Sequence, residues 1–223
     1  MEHAGSVELP DRIGEVNTLI AGALQNLNRK YGKVFQALTF KEGGFLGSEA
    51  ELRVCAQGED TQTQIASIWI TEIPGREPVM KDNYFGVIIK PQYLAAVRGI
   101  GRSLNENARV FCAGFLEKSF HDDLGLQTSL EDVLASGESL TGSLFVYAPV
   151  SEEELDILSR GLEEKMRARG LRGLVTLIAL KDEGSAQVDD GNFADTMRFY
   201  ADLRHEISNG IRSFLVSGEH AKL

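Results

Sequence analysis

The stretch LNRKYGKVFQALTF, Leu27 to Phe40, constrains the fold most, because a helical period ends there at a glycine and a strand-like run begins two residues later. Upstream, Ile13, Val16, Ile20, Ala23, Leu24, Leu27 and Tyr31 recur at the i, i+3, i+4, i+7 spacing of one helix face, with Arg12, Glu15, Asn17, Gln25 and Asn28 turned away from it. Asp11, behind Pro10, is placed to cap the helix, and Arg29-Lys30 put positive charge in its last turn. Gly32 can take the left-handed conformation that stops a helix. Val34 to Phe40 is β-branched and aromatic enough for a strand. Strands at Glu51–Gln57 and Gln64–Ile73, with polar glycine-bearing connections, then imply a curved antiparallel sheet with the helix across one face.

Further along, the two prolines of PGREPVMKDN predict a loop, Tyr84–Ile89 a strand, and Pro91 the first turn of a helix through Leu104, interrupted by Gly99 and Gly101. Ala108–Leu116 reads as a strand. Thr128 with Glu131, and Ser151 with Glu154, are capping boxes opening a short helix toward Ala135 and a long one to about Ala168. Strands are expected at Leu144–Tyr147, at the apolar run Leu174–Leu180, covered on both faces, and at Ile211–Val216. Asp189-Asp190-Gly191 is a turn, and Phe193, Met197, Tyr200, Leu203 and Ile207 predict a last helix to about Ser208. The fold class is therefore α+β, an antiparallel or mixed sheet with helices packed against it. Helix–glycine–strand junctions at Tyr31-Gly32 and Arg169-Gly170 suggest two related αβ units, 1–107 and 108–223, within one or two domains.

The formal net charge of −10 argues against nucleic acid as a partner and suits a basic protein partner. The two cysteines, Cys55 and Cys112, are too few for a disulfide framework; they read as small half-buried hydrophobes, with a bridge between neighbouring strands as the sharper alternative. No basic and apolar leader opens the chain and no window approaches a membrane span, so a cytoplasmic setting is expected, or an extracytoplasmic one if a leader has been removed. His205-Glu206 begins an HExxH motif, but Asn209 stands where the second histidine is needed, and the Phe120-His121-Asp122-Asp123 loop has no second histidine nearby. Gly99 and Gly101 begin a GxGxxG motif that fails at Leu104. Arg160, Arg167, Arg169 and Arg172 complement a helix dipole better than they form an anion site. No metal and no cofactor are expected.

LNRKYGKVFQ followed by KDNYFGVIIKPQYL resembles a loose group of small cell-envelope, lipoprotein-like proteins of Gram-positive bacteria, in which a Lys-Tyr-Gly signature ends a helix and an Asp-Asn-Tyr signature precedes the next. The matching positions are Lys30, Tyr31, Gly32, Phe35, Asp82, Asn83 and Tyr84, all in the first half, and no lipoprotein leader accompanies them. The resemblance implies a fold and a setting, and no catalytic site. The functional expectation is a non-enzymatic binding or interaction protein of bacterial type, whose partner is a protein or a small ligand. Tyr31 is expected in the core, and Tyr84 is the candidate binding residue. The alternatives are an enzyme with a site at His121, Asp122 and Asp123, joined in space by His205, and a small-molecule carrier with an apolar cavity between helix and sheet.

Overall fold

The computed structural model describes residues 12–43, 49–181, 188–189, 193 and 208–217. Asp11, Asp190-Gly191, the expected last helix beyond Phe193, and His205 lie outside them. The chain divides into two compact units, Met1–Tyr84 and Phe85–Leu223. The division falls ahead of residue 107 because Phe85, Ile89, Tyr93, Val97 and Ile100 belong to the core of the second unit.

In the first unit, helix α1 (Arg12–Tyr31) is followed by strands β1 (Phe35–Lys41), β2 (Ala50–Ala56), β3 (Ala66–Thr71) and β4 (Val79–Asp82), which pair antiparallel in chain order. Gly32 has φ 62° and its N–H reaches Asn28 O at 2.8 Å, so the expected glycine stop is present. Burial deepens along the α1 stripe: Ile13 is 75% exposed, whereas Ala23, Leu27 and Tyr31 are buried. Leu52, Val54, Ile68 and Ile70 are buried at alternate positions of β2 and β3, and a Cβ added at Gly22 would meet Met80 only at an ordinary 3.8 Å. β4 was expected to be loop. Its prolines, Pro74 and Pro78, both precede the strand, so Val79–Asp82 is free to pair with β3.

Helix α2 (Tyr84–Leu104) begins at the last residue of the first unit and otherwise belongs to the second, with β5 (Arg109–Phe115), α3 (Leu130–Ser136), β6 (Thr141–Pro149), α4 (Glu152–Ala168), β7 (Arg172–Leu180) and β8 (Ser208–Val216). The sheet order is β5-β6-β7-β8; β6 and β7 are parallel across α4 and the other pairs antiparallel. One antiparallel and one mixed sheet with helices against them make the fold α+β, as expected.

Tyr84–Ile89 is helix, not strand. Phe85, Ile89, Tyr93, Val97 and Ile100 recur at helical spacing and are all buried, and this packing outweighs the β-branched local composition. Pro91 sits inside α2 and forgoes only its own bond to the preceding turn. Gly101 remains helical, and a Cβ there would stand 3.0 Å from Val110, so the glycine lets α2 close on β5. The box at Ser151 and Glu154 forms as expected. The other is shifted one residue, to Ser129 and Asp132, because Thr128 Oγ1 instead accepts the Gly125 N–H at 3.1 Å. β7 is covered on both faces only in part. Val175, Leu177 and Ala179 join the main core and Ile178 and Leu180 a second cluster with Phe111, Tyr147 and Val188, while Leu174 is 40% exposed.

Candidate functional site

The two signature segments, fifty residues apart in sequence, meet at one end of the first sheet. Tyr31 O–H donates to Asp82 Oδ1 at 2.8 Å, Lys30 Nζ binds Asp82 Oδ2 at 2.9 Å, and the Tyr84 N–H reaches Asp82 Oδ1 at 3.1 Å. Asp82 is buried, and these three donors replace the water it has lost. Beside it, Tyr84 O–H donates to Glu59 Oε1 at 2.7 Å, and Lys33 Nζ donates to the same oxygen at 2.5 Å and to the Tyr84 hydroxyl at 3.0 Å. The rings of Tyr31 and Phe35 meet that of Tyr84 edge-on, with centroids 4.9 and 4.6 Å away. Asn83 closes the corner: Ser67 N–H donates to its Oδ1 at 2.8 Å.

Tyr31 is core, as expected. Tyr84, the expected contact residue, is fully buried, with no ring surface to present to a partner. Burial first, then the bond to Glu59, push its phenol up to about 12, against the opposing effect of Lys33. Lys33 is itself raised, chiefly by its bonds to Glu59 and Tyr84. A tyrosine so perturbed holds its proton and acts as a donor, the reverse of an activated base. Glu59 Oε2 is buried, with no hydrogen-bond partner among the described residues. Sequence reasoning missed Lys33 and Glu59; the only signal for them was their charge beside a helix stop and in a turn.

The structure leaves His121 and Asp123 on the surface, 71% and 76% exposed, with Nδ1 and Oδ1 2.6 Å apart, and this bond raises the imidazole above its ordinary value. Phe120 and Leu124 are buried and anchor the loop. Among the described residues no group of three or more His, Cys, Asp and Glu side chains could hold a metal ion. Cys55 and Cys112 are both free and buried, and burial pushes both thiols up, away from the reactive thiolate. Arg167 binds Glu163 at 2.6 Å and Arg160 donates to the Asp156 carbonyl at 3.2 Å, so these two are engaged within α4.

The outward face of the first sheet holds what periodicity alone did not reveal. Register places Lys41, Glu51, Trp69 and Lys81 directly opposite one another in a single row across all four strands, with Thr39, Arg53 and Ser67 in the next row. Trp69 is half-buried, while Lys41, Arg53 and Lys81 are exposed. Glu51 is engaged, its Oε1 accepting the Ser67 hydroxyl at 2.7 Å.

Fold and geometry define an α+β protein with a locked Lys-Tyr-carboxylate corner and an open, tryptophan-centred sheet face. No family model matches the chain, and no curated protein matches it. A solved structure to which it is similar is that of a DUF5037 family protein from Ruminococcus gnavus, at 13% identity and a TM-score of 0.47, over 90% of this chain and 92% of that one. Among the described residues, no helix is long and apolar enough to cross a membrane.

Proposed function

We propose that the chain is a non-enzymatic binding protein, and that the outward face of its first sheet is the contact surface for an acidic polypeptide segment. One observation carries this reading: the row Lys41–Glu51–Trp69–Lys81, with Arg53 beside it, gathers three exposed cations around the only tryptophan of a chain with 33 acidic and 23 basic residues. Some cations elsewhere are neutralised by carboxylates, as in Lys30–Asp82, Lys33–Glu59, Arg167–Glu163 and Arg212–Asp156. Lys41, Arg53 and Lys81 have no ion pair among the described residues. A sheet face whose cations have no ion pair among the described residues, with a rigid aromatic at its centre, offers charge complementarity to carboxylates and apolar area for an anchor. The sequence expectation of a basic partner followed from total charge, which averages over this face; the local charge argues for the opposite sign.

Because Trp69 is the only tryptophan, its fluorescence reports on the proposed surface without a label. Titration with a poly-glutamate peptide should change the emission saturably, the change should weaken as salt is raised, and Lys41→Glu with Lys81→Glu should abolish it. An emission unchanged by poly-glutamate, or changed equally by poly-lysine, overturns the surface. Tighter binding of a single-stranded oligonucleotide overturns the polypeptide assignment, and reproducible turnover in a broad hydrolase screen overturns the non-enzymatic reading.

A further inference from the structure

The sheet itself spaces the cations of the open face, and that spacing bears on which sequence can lie across it. Lys41, Glu51, Trp69 and Lys81 stand on consecutive strands in one row, so their side chains share a face. With about 4.8 Å between neighbouring strands, Lys41 and Lys81 are three spacings, or about 14 Å, apart. An extended chain rises about 3.4 Å per residue and turns alternate side chains to one side, so its residues i and i+4 also lie about 14 Å apart on one side. A helix fits worse: at about 1.5 Å per residue it needs about nine residues, or two and a half turns, which points the second side chain away from the surface. Between the lysines, Glu51 is half-buried and held by the Ser67 hydroxyl at 2.7 Å, so a third carboxylate laid over it is repelled. Trp69 stands beside Lys81, and Val79, 44% exposed, is its diagonal neighbour, because Val79 faces Thr71 two residues along β3.

We propose that this face selects an extended segment that crosses the strands with acidic residues at positions i and i+4 and an apolar residue at i+2. The inference rests on the reading of the face as a contact surface for an acidic polypeptide, and names the sequence which that surface prefers. The two carboxylates meet Lys41 and Lys81, which have no ion pair among the described residues. The side chain at i+2 lies against Trp69 and Val79 and keeps charge away from Glu51. Arg53, in the neighbouring row, adds attraction for any acidic segment without setting the spacing. An unbroken acidic run is therefore a poorer partner than two acids parted by an apolar residue, although it carries more charge.

The test uses the full chain, its tryptophan emission, and short capped peptides of one composition: two glutamates and one leucine among serines and threonines, differing only in order. The peptide with glutamates at i and i+4 and leucine at i+2 should bind about threefold more tightly than those with adjacent or more distant glutamates, the scale of one exposed ion pair. Lys41→Gln and Lys81→Gln should each remove that preference. Replacing the central leucine by glutamate should weaken binding to the wild type, and Glu51→Gln, which keeps an acceptor for Ser67, should relieve the penalty. Equal binding of all orders, or a preference that survives in both lysine variants, overturns the spacing while binding of poly-glutamate leaves the surface standing. No response to poly-glutamate or to any of the peptides overturns the surface and the spacing with it.

Discussion

Deleting a single oxygen from the buried corner tests whether Tyr84 acts there as a proton-holding donor. Tyr84→Phe removes the O–H that reaches Glu59 at 2.7 Å and the acceptor that Lys33 reaches at 3.0 Å, and keeps the ring against Tyr31 and Phe35. A hydrogen bond to a charged group contributes about 1.5–3 kcal/mol. Glu59 would keep Lys33, but its side chain is only 17% exposed and its other oxygen has no partner among the described residues, so water replaces the lost donor poorly. The Lys33 bond adds little, since that side chain is 37% exposed and readily hydrated. The expected loss is about 2 kcal/mol, read as a lower denaturant midpoint at unchanged slope. The pH dependence sharpens the test. The folded phenol titrates at about 12, above the unfolded value near 10, so the folded state holds the proton more tightly. The resulting stabilisation is fully present below about pH 10 and is lost as pH rises through the folded value. Tyr84→Phe has no such proton, and other tyrosines and lysines titrate in both proteins. The stability gap should therefore be constant from about pH 7 to 9 and narrow above about pH 10. A gap that stays fixed through about pH 11, or a variant as stable as the wild type at neutral pH, would refute the reasoning.

Gly142→Ala should cost about 3 kcal/mol or more, because its Cβ would lie 2.5 Å from the ring of Tyr93, a fully buried side chain whose hydroxyl is bonded to Arg172 O. Denaturation of Gly142→Ala in wild-type and Tyr93→Leu backgrounds checks this; an equal cost in both removes the clash as the cause. Gly32→Ala should cost about 1 kcal/mol, since φ is +62° and the added Cβ meets nothing within 4 Å, so an unchanged midpoint removes the glycine-stop argument. The His121 imidazole should titrate above its usual value, followed by its ring-proton resonances, and Asp123→Asn should bring it down; identical titrations contradict the bond.

What could be read from the sequence was what neighbours in the chain decide. The Ser151 and Glu154 box is closed by bonds spanning three residues, and Gly32 needs only its own dihedral angle, so both were visible. The second box failed by one residue because Thr128 and Ser129 can both cap a helix, and Thr128 is engaged by the Gly125 N–H while Ser129 accepts from Asp132. Tyr84–Ile89 failed for a different reason. Tyr84, Phe85, Gly86 and Ile89 are all buried, so the segment has no polar positions to reveal its period. Lys33 and Glu59 are 26 residues apart and are joined only once β1 and β2 have paired. The Trp69 row depends on three successive registers, and a slip of one residue in any of them would disperse it to the other face.

The distribution of charge separates groups committed to the fold from those free to meet a ligand. Withdrawing both Tyr84 and Lys33 from Glu59 to serve a substrate would strip a largely buried carboxylate of these donors, at a cost on the order of several kcal/mol. With its phenol at about 12, Tyr84 would be ionised in only about one molecule in 10⁵ at neutral pH, a deficit of about 7 kcal/mol before it could act as a base. Tyr31 and Lys30 are bound in the same way by buried Asp82. These residues tie the end of α1, the β2–β3 turn and the residues that follow β4 to one another. Lys41, Arg53 and Lys81 on the open sheet face carry no such obligation among the described residues. Engaging them breaks no bond seen among the described residues, so a partner of the kind proposed would meet them without disturbing the tyrosine corner.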